Sequence, residues 1–67
     1  MKRILTHKEN QIFNLLINNY TTKEIAQKLS ISEKTTRNHI SNVIQKLSVK
    51  NRLEATIELI KLGEISI

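Results

Sequence analysis

Thr21–Leu47, TTKEIAQKLSISEKTTRNHISNVIQKL, is the stretch whose reading decides the fold. Ile25 and Leu29 repeat one helical turn apart, with Ala26 beside them. Thr36, Ile40, Val43, Ile44 and Leu47 then repeat at helical spacing again. Between the two runs stands only Ser30-Ile31-Ser32, room for a very short turn. Two helices joined by such a turn have a helix-turn-helix layout. Ala26 is small where the two helices must cross closely, and Ile31 is placed to plug the core between them.

The flanks extend the same helical grammar. Thr6-His7-Lys8-Glu9 and Thr21-Thr22-Lys23-Glu24 are capping boxes, in which a threonine and a glutamate three residues on satisfy each other's free backbone N–H groups. Ser32 caps a third helix, and Asn51 a fourth, with Glu54 at the offset of a capping box. There is no proline, and Gly63 is the single glycine, so nothing breaks a helix from within. The expected architecture is all-α: a four-helix domain with a central helix-turn-helix and helices over residues 7–18, 22–29, 33–47 and 52–62. Asn18-Asn19 and Gly63 suit helix ends, whereas a left-handed Ser48 costs about 1 kcal/mol relative to glycine. Ile12, Phe13, Leu16 and Ile17, followed by Tyr20, form the core arc of the first helix.

Size and composition exclude several classes. Sixty-seven residues make one domain, 1–67, with one modest core and no room beside it for an ordinary enzyme pocket. Without cysteine neither disulfides nor thiolate-bound metal can staple the fold. No apolar run is long enough to cross a membrane or act as a secretory signal core, so the expected location is the cytoplasm. His7 and His39 stand far apart with no metal-ligand spacing, no Ser–His–acid arrangement is arguable, and no glycine-rich loop cradles a nucleotide. No cofactor, no metal site and no catalytic residue are expected.

The formal charge of +5 is uneven: residues 1–20 carry +2, residues 21–50 carry +4 and residues 51–67 carry −1. A localised excess of this kind favours a polyanion. The third helix gives it a face. Lys34, Arg37, Asn38, Ser41 and Gln45 share an arc opposite the apolar stripe, with no acid among them, where an ordinary solvated face mixes glutamate with lysine. Arginine can fork onto guanine and asparagine onto adenine in the major groove of double-stranded DNA. Thr35, His39, Asn42 and Lys46 border this arc, on the side where phosphates run. A plain polar surface helix is the competing reading.

The fourth helix carries two apolar stripes, Ala55, Leu59 and Leu62 on one side and Leu53, Ile57 and Ile60 roughly opposite. One can pack on the core. The other needs a cover: a second copy of the chain, the monomer's own core, or in part Ile65 and Ile67.

These residues resemble the GerE/LuxR-type helix-turn-helix domain of bacterial transcription factors. The likeness runs through Leu5-Thr6-His7-Lys8-Glu9, Lys23-Glu24-Ile25-Ala26, Ile31-Ser32-Glu33-Lys34-Thr35, Arg37-Asn38-His39-Ile40-Ser41-Asn42, Lys46-Leu47, Val49, Arg52 and Ala55. Within the family, KEIA, ISEKT, RNHISN, QKL and the ending Leu62-Gly63-Glu64 look most like a small regulator acting late in spore formation. The resemblance implies a third helix in the major groove, with Arg37, Asn38 and Ser41, and Lys34 on the same face, reading bases. It implies phosphate contacts from Lys23, Ser32, Thr35, His39, Asn42 and Lys46. It implies a homodimer through the fourth helix, with Leu53, Ile57 and Ile60 at the contact, and RNA polymerase as a further partner. The family commonly has Val where Thr36 stands, and often Gly in place of Asn19 and Ser48; the Thr36 hydroxyl then needs a carbonyl one turn back.

The expected function is a stand-alone, sequence-specific DNA-binding transcriptional regulator, nucleoid-associated when bound. These residues hold no room for a receiver or ligand-binding domain, so if the chain is full length its abundance is expected to set its activity. Two other readings stay open: a protein-interaction module on the same scaffold, and the effector domain of a longer response regulator.

Overall fold

The computed structural model describes residues 3–66. Four helices follow one another: α1 (His7–Ile17), α2 (Thr22–Leu29), α3 (Glu33–Leu47) and α4 (Arg52–Lys61). α1 and α4 each stop one residue short of the sequence expectation, with Asn18 and Leu62 as the caps.

The starts are set by side chains. The Thr6 hydroxyl accepts the Glu9 N–H at 3.1 Å, and the Glu9 carboxylate accepts the Thr6 N–H at 2.9 Å. Thr21 and Glu24 repeat the exchange at 3.1 and 2.8 Å. Ser32 accepts the Thr35 N–H at 2.9 Å. Asn51 makes half of the expected box: it accepts the Glu54 N–H, but the Glu54 carboxylate reaches past it to the Lys50 N–H at 3.0 Å. Each cap satisfies a backbone donor that a helix leaves free.

The ends share one device. Asn19, Ser30, Ser48 and Gly63 all take positive φ, at 70°, 58°, 56° and 74°. In each case the next residue's N–H bonds back into the last helical turn: Tyr20 to Leu15, Ile31 to Ala26, Val49 to Ile44 and Glu64 to Leu59. This is the Schellman closure, which turns the chain sharply while satisfying carbonyls. Glycine serves it without strain, and only Gly63 is glycine. Ser30 was not foreseen in this role; no turn residue in Ser30-Ile31-Ser32 announces it.

α3 packs against each of the other three helices. Its inner stripe buries Thr36, Ile40 and Val43 against Ile12 and Phe13 of α1, Ile25 of α2, and Ala55 and Leu59 of α4. The Thr36 hydroxyl, fully buried, donates to the Ser32 carbonyl at 3.0 Å, the partner expected one turn back. Leu16, Ile17, Leu29 and Ile31 pack on this core from its rim, while Tyr20 is exposed.

Two expectations for the C-terminal end change. Leu62, which shares an apolar stripe with Ala55 and Leu59 by helical spacing, does not follow them into the core and is 49% exposed. The helix ends before it, and left-handed Gly63 turns the chain back so that Ile65 fills the core beside Leu5. Ile65 is therefore buried in the monomer and does not shield Leu53, which is 67% exposed. Ile67 lies outside the described residues. Asn10 Nδ2 donates to the Glu64 carbonyl at 3.2 Å, which ties this return to α1.

Glu9 does more than cap. It is 4% exposed, and its Oε1 lies 2.7 Å from Lys46 Nζ. Lys46 also donates to the Ile4 carbonyl at 3.0 Å. Burial alone pushes the Glu9 carboxyl up, but the hydrogen bond from Lys46, the Thr6 N–H and the Lys46 charge together hold it below its ordinary value.

Two stability predictions follow from caps and charge. Ser48→Gly removes a left-handed serine and is expected to stabilise the domain by about 1 kcal/mol, raising Tm by roughly 5 °C; thermal denaturation followed by circular dichroism checks it. Lys46→Met leaves the Glu9 carboxylate buried without its cation and is expected to destabilise by about 3 kcal/mol at pH 7. Glu9's depressed carboxyl contributes stability fully present above the ordinary glutamate range and lost as pH falls through its lower folded value. Without Lys46, burial raises that carboxyl and acid relieves the variant by protonating it. The gap between wild type and Lys46→Met should thus narrow from pH 7 to pH 4, measured by denaturant unfolding; a constant gap would mean the ion pair carries none of it.

Candidate nucleic-acid interface

The outward side of α3 follows from what its inner side buries. With Thr36, Ile40 and Val43 turned into the core, Lys34, Arg37, Asn38 and Ser41 are all exposed along the first two turns. They sit in the N-terminal half of a 15-residue helix, the part that reaches base edges when such a helix lies in the major groove. Asn42 and Gln45 continue the exposed polar surface, and His39 is half-buried at its edge.

The turn aims this helix. Ser30 and Ser32 frame it, one left-handed and one extended, and Ile31 between them packs on the core. Two of the expected phosphate contacts lie at helix starts. Ser32 is the N-cap of α3, and its hydroxyl also donates to Thr35 Oγ1 at 2.9 Å. Lys23 is exposed in the first turn of α2. Helix N-termini present free N–H groups and partial positive charge to an anion.

Two of the expected residues have internal partners. Arg37 Nη1 lies 3.3 Å from Glu33 Oε2, an i,i+4 pair with both side chains well exposed, worth about 0.3–0.5 kcal/mol to the helix. Lys46 is committed to Glu9 and the Ile4 carbonyl, which leaves one of its three N–H donors. Among the described residues these are the only ion pairs, so Lys23 and Lys34 are free cations.

Sequence reasoning missed the burial of Glu9. The signal was present: Glu9 stands three, four and seven residues before Ile12, Phe13 and Leu16, and so lies on the apolar stripe of α1. It also missed Glu33 as the carboxylate beside the acid-free arc.

Leu16, Ile17, Tyr20, Leu53, Ile57 and Ile60 line an open apolar groove between the end of α1 and α4. Leu53 and Ile57 are exposed at 67% and 46%, whereas Ile60, the third residue of that stripe, is half-buried against the core, so the monomer covers the second stripe of α4 only at Ile60. Among the described residues no helix is long and apolar enough to cross a membrane.

Comparison with known proteins fits this arrangement. The GerE family, bacterial regulatory proteins of the luxR family, matches residues 3–59. The spore germination protein GerE of Bacillus subtilis is 54% identical over 66 residues, 98% of this chain and 89% of its own length. The transcriptional regulatory protein DegU of Brevibacillus brevis is 41% identical over 64 residues, 96% of this chain but 27% of its own length. A solved structure of the transcription factor GerE, 55% identical, superposes with a TM-score of 0.95 over 97% of both chains. The chain belongs to the luxR family of bacterial regulatory proteins, and α2 and α3 are its DNA-binding helix-turn-helix.

Proposed function

We propose that the domain regulates transcription by reading specific DNA sequences as a homodimer, with α3 in the major groove. The observation that carries the reading is the exposed donor- and acceptor-rich row Lys34, Arg37, Asn38 and Ser41 on a helix whose opposite side buries Thr36, Ile40 and Val43. Arg37 forks onto guanine O6 and N7, Asn38 pairs with adenine N6 and N7, and Ser41 and Lys34 donate to neighbouring base acceptors. Lys23, Ser32, Thr35, His39 and Asn42 dock on phosphates and fix the register without reading sequence. Lys46 joins them with its one remaining N–H while Glu9 holds the other side of its ammonium.

The uncovered stripe of Leu53 and Ile57, with Ile60 beside it, supports pairing of α4 with its copy. A two-fold axis there fixes the separation of two half-sites. The likeness to a spore germination protein over nearly the whole chain supports a stand-alone regulator acting late in spore formation, in the cytoplasm and on the nucleoid. At a promoter such a protein acts on RNA polymerase, by contact or by exclusion.

Selection from a randomised duplex library at moderate salt tests the reading: a paired motif is expected, and binding without enrichment would leave only electrostatic attraction. On the recovered consensus duplex, Arg37→Ala should lose about 1–3 kcal/mol and relax preference at one base pair. Loss that is equal on every sequence would overturn its reading role. Lys23→Ala should weaken all sequences alike and reduce the salt slope by about 1. Leu53→Glu changes an exposed side chain and so leaves the fold intact. It should yield a monomer by sedimentation that holds a single half-site as well as wild type but has lost the advantage of the paired motif; an unchanged dimer would remove α4 from the interface.

A further inference from the structure

Glu33 is the single acid on α3, and it stands in the first turn, where DNA would approach. A carboxylate there opposes phosphate and weakens attraction to DNA of any sequence. Its part in the cap is small: Ser32 and Thr35 make the hydrogen bonds that start α3, and Glu33 makes none of them. What Glu33 does contact is Arg37, through Oε2 to Nη1 at 3.3 Å. Both side chains are exposed, 58% for Arg37 and 44% for Glu33, so the pair adds little to stability.

The geometry of the guanidinium gives the contact a meaning. Arginine has five donors in a planar fork. The bond to Glu33 uses a donor on Nη1 and leaves the edge formed by Nε and Nη2. That edge carries two parallel donors, the pattern that matches guanine O6 and N7. An unrestrained arginine gives up its rotamer freedom on binding and can swing to a phosphate instead; one tethered a turn away cannot do so as readily.

We propose that Glu33 is a positioning residue for sequence reading: it restrains the Arg37 guanidinium toward guanine, and its charge penalises contacts that only neutralise phosphate. Glu33 therefore raises the ratio of specific to non-specific binding while lowering non-specific affinity. This rests on the reading of Arg37 as a base-contacting residue.

The test is a double-mutant cycle on the consensus duplex recovered from the randomised library, on its variants at the base pair that Arg37 reads, and on a scrambled duplex. Glu33→Ala should reduce the preference at that base pair about 5-fold and raise affinity for the scrambled duplex about 2- to 3-fold at low salt. Glu33→Gln keeps an acceptor oxygen at the same reach and should retain most of the preference while still gaining non-specific affinity. In an Arg37→Ala background, Glu33→Ala should leave the preference unchanged. Circular dichroism verifies that each variant is folded. A preference that survives Glu33→Ala, or that falls equally with and without Arg37, overturns the positioning role and leaves the reading role of Arg37 standing. No change in preference on Arg37→Ala alone, or no enriched motif at all, overturns both.

Discussion

A buried carboxylate sets the frame of this domain. Glu9 lies among apolar side chains, where an unpaired charge would cost several kcal/mol. It is tolerated because the Thr6 N–H and the Lys46 ammonium both reach it. Those two donors come from the start of α1 and the last turn of α3, and Lys46 adds the Ile4 carbonyl ahead of α1. Apolar packing of α3 on α1 is strong but non-directional. The Glu9–Lys46 pair at 2.7 Å is directional and admits one register of α3 along α1. α3 is thus indexed to the rest of the fold at the end opposite its exposed row Lys34, Arg37, Asn38 and Ser41.

At the near end, turn geometry does the indexing. Ser30 in the left-handed region and Ile31 anchored on the core set the direction from which α3 departs. The same closure ends all four helices, so each connection is short and each fixes the path of the next helix. Three of the four left-handed positions are not glycine. The strain is modest at each and is held in place by the apolar residue that follows: Tyr20 against Lys28, with the ammonium 5.9 Å from the ring centroid, and Ile31 and Val49 against the core.

Much of this was legible in the sequence. The four N-terminal signals fall where helices begin, because capping is local chemistry written in consecutive residues. The division of α3 into a buried stripe and an exposed polar row follows from helical period alone. The rest was hidden for different physical reasons. Glu9 is the cap its sequence shows; its place on the apolar stripe of α1 was visible too, but its ion-pair partner Lys46 is 37 residues away. Leu62 shares a stripe with Ala55 and Leu59 by helical period, and nothing before Gly63 shows that the chain turns back there to insert Ile65 into the core. Ser30 was invisible as a turn residue because serine takes the left-handed conformation only when the surrounding structure imposes it. The roles proposed for the polar row belong to a complex with DNA, so its exposure was predictable from period while its proposed chemistry rests on what the row can donate and accept.

The pairings on α3 bear on how such a small domain binds. Of its three cations, Arg37 leans on Glu33 and Lys46 on Glu9, which leaves Lys34 without a carboxylate partner among the described residues. α3 therefore offers little free charge, and most of the positive excess sits on other elements. Non-specific attraction rises with each phosphate neutralised, whereas discrimination rises with hydrogen bonds placed on base edges. Holding two of three cations internally shifts the balance of α3 toward the second. One copy then has few contacts with which to reach useful affinity at physiological salt. In the proposed dimer, two copies joined through Leu53 and Ile57 would make the second half-site an intramolecular event, which raises affinity without adding free charge to either copy of α3.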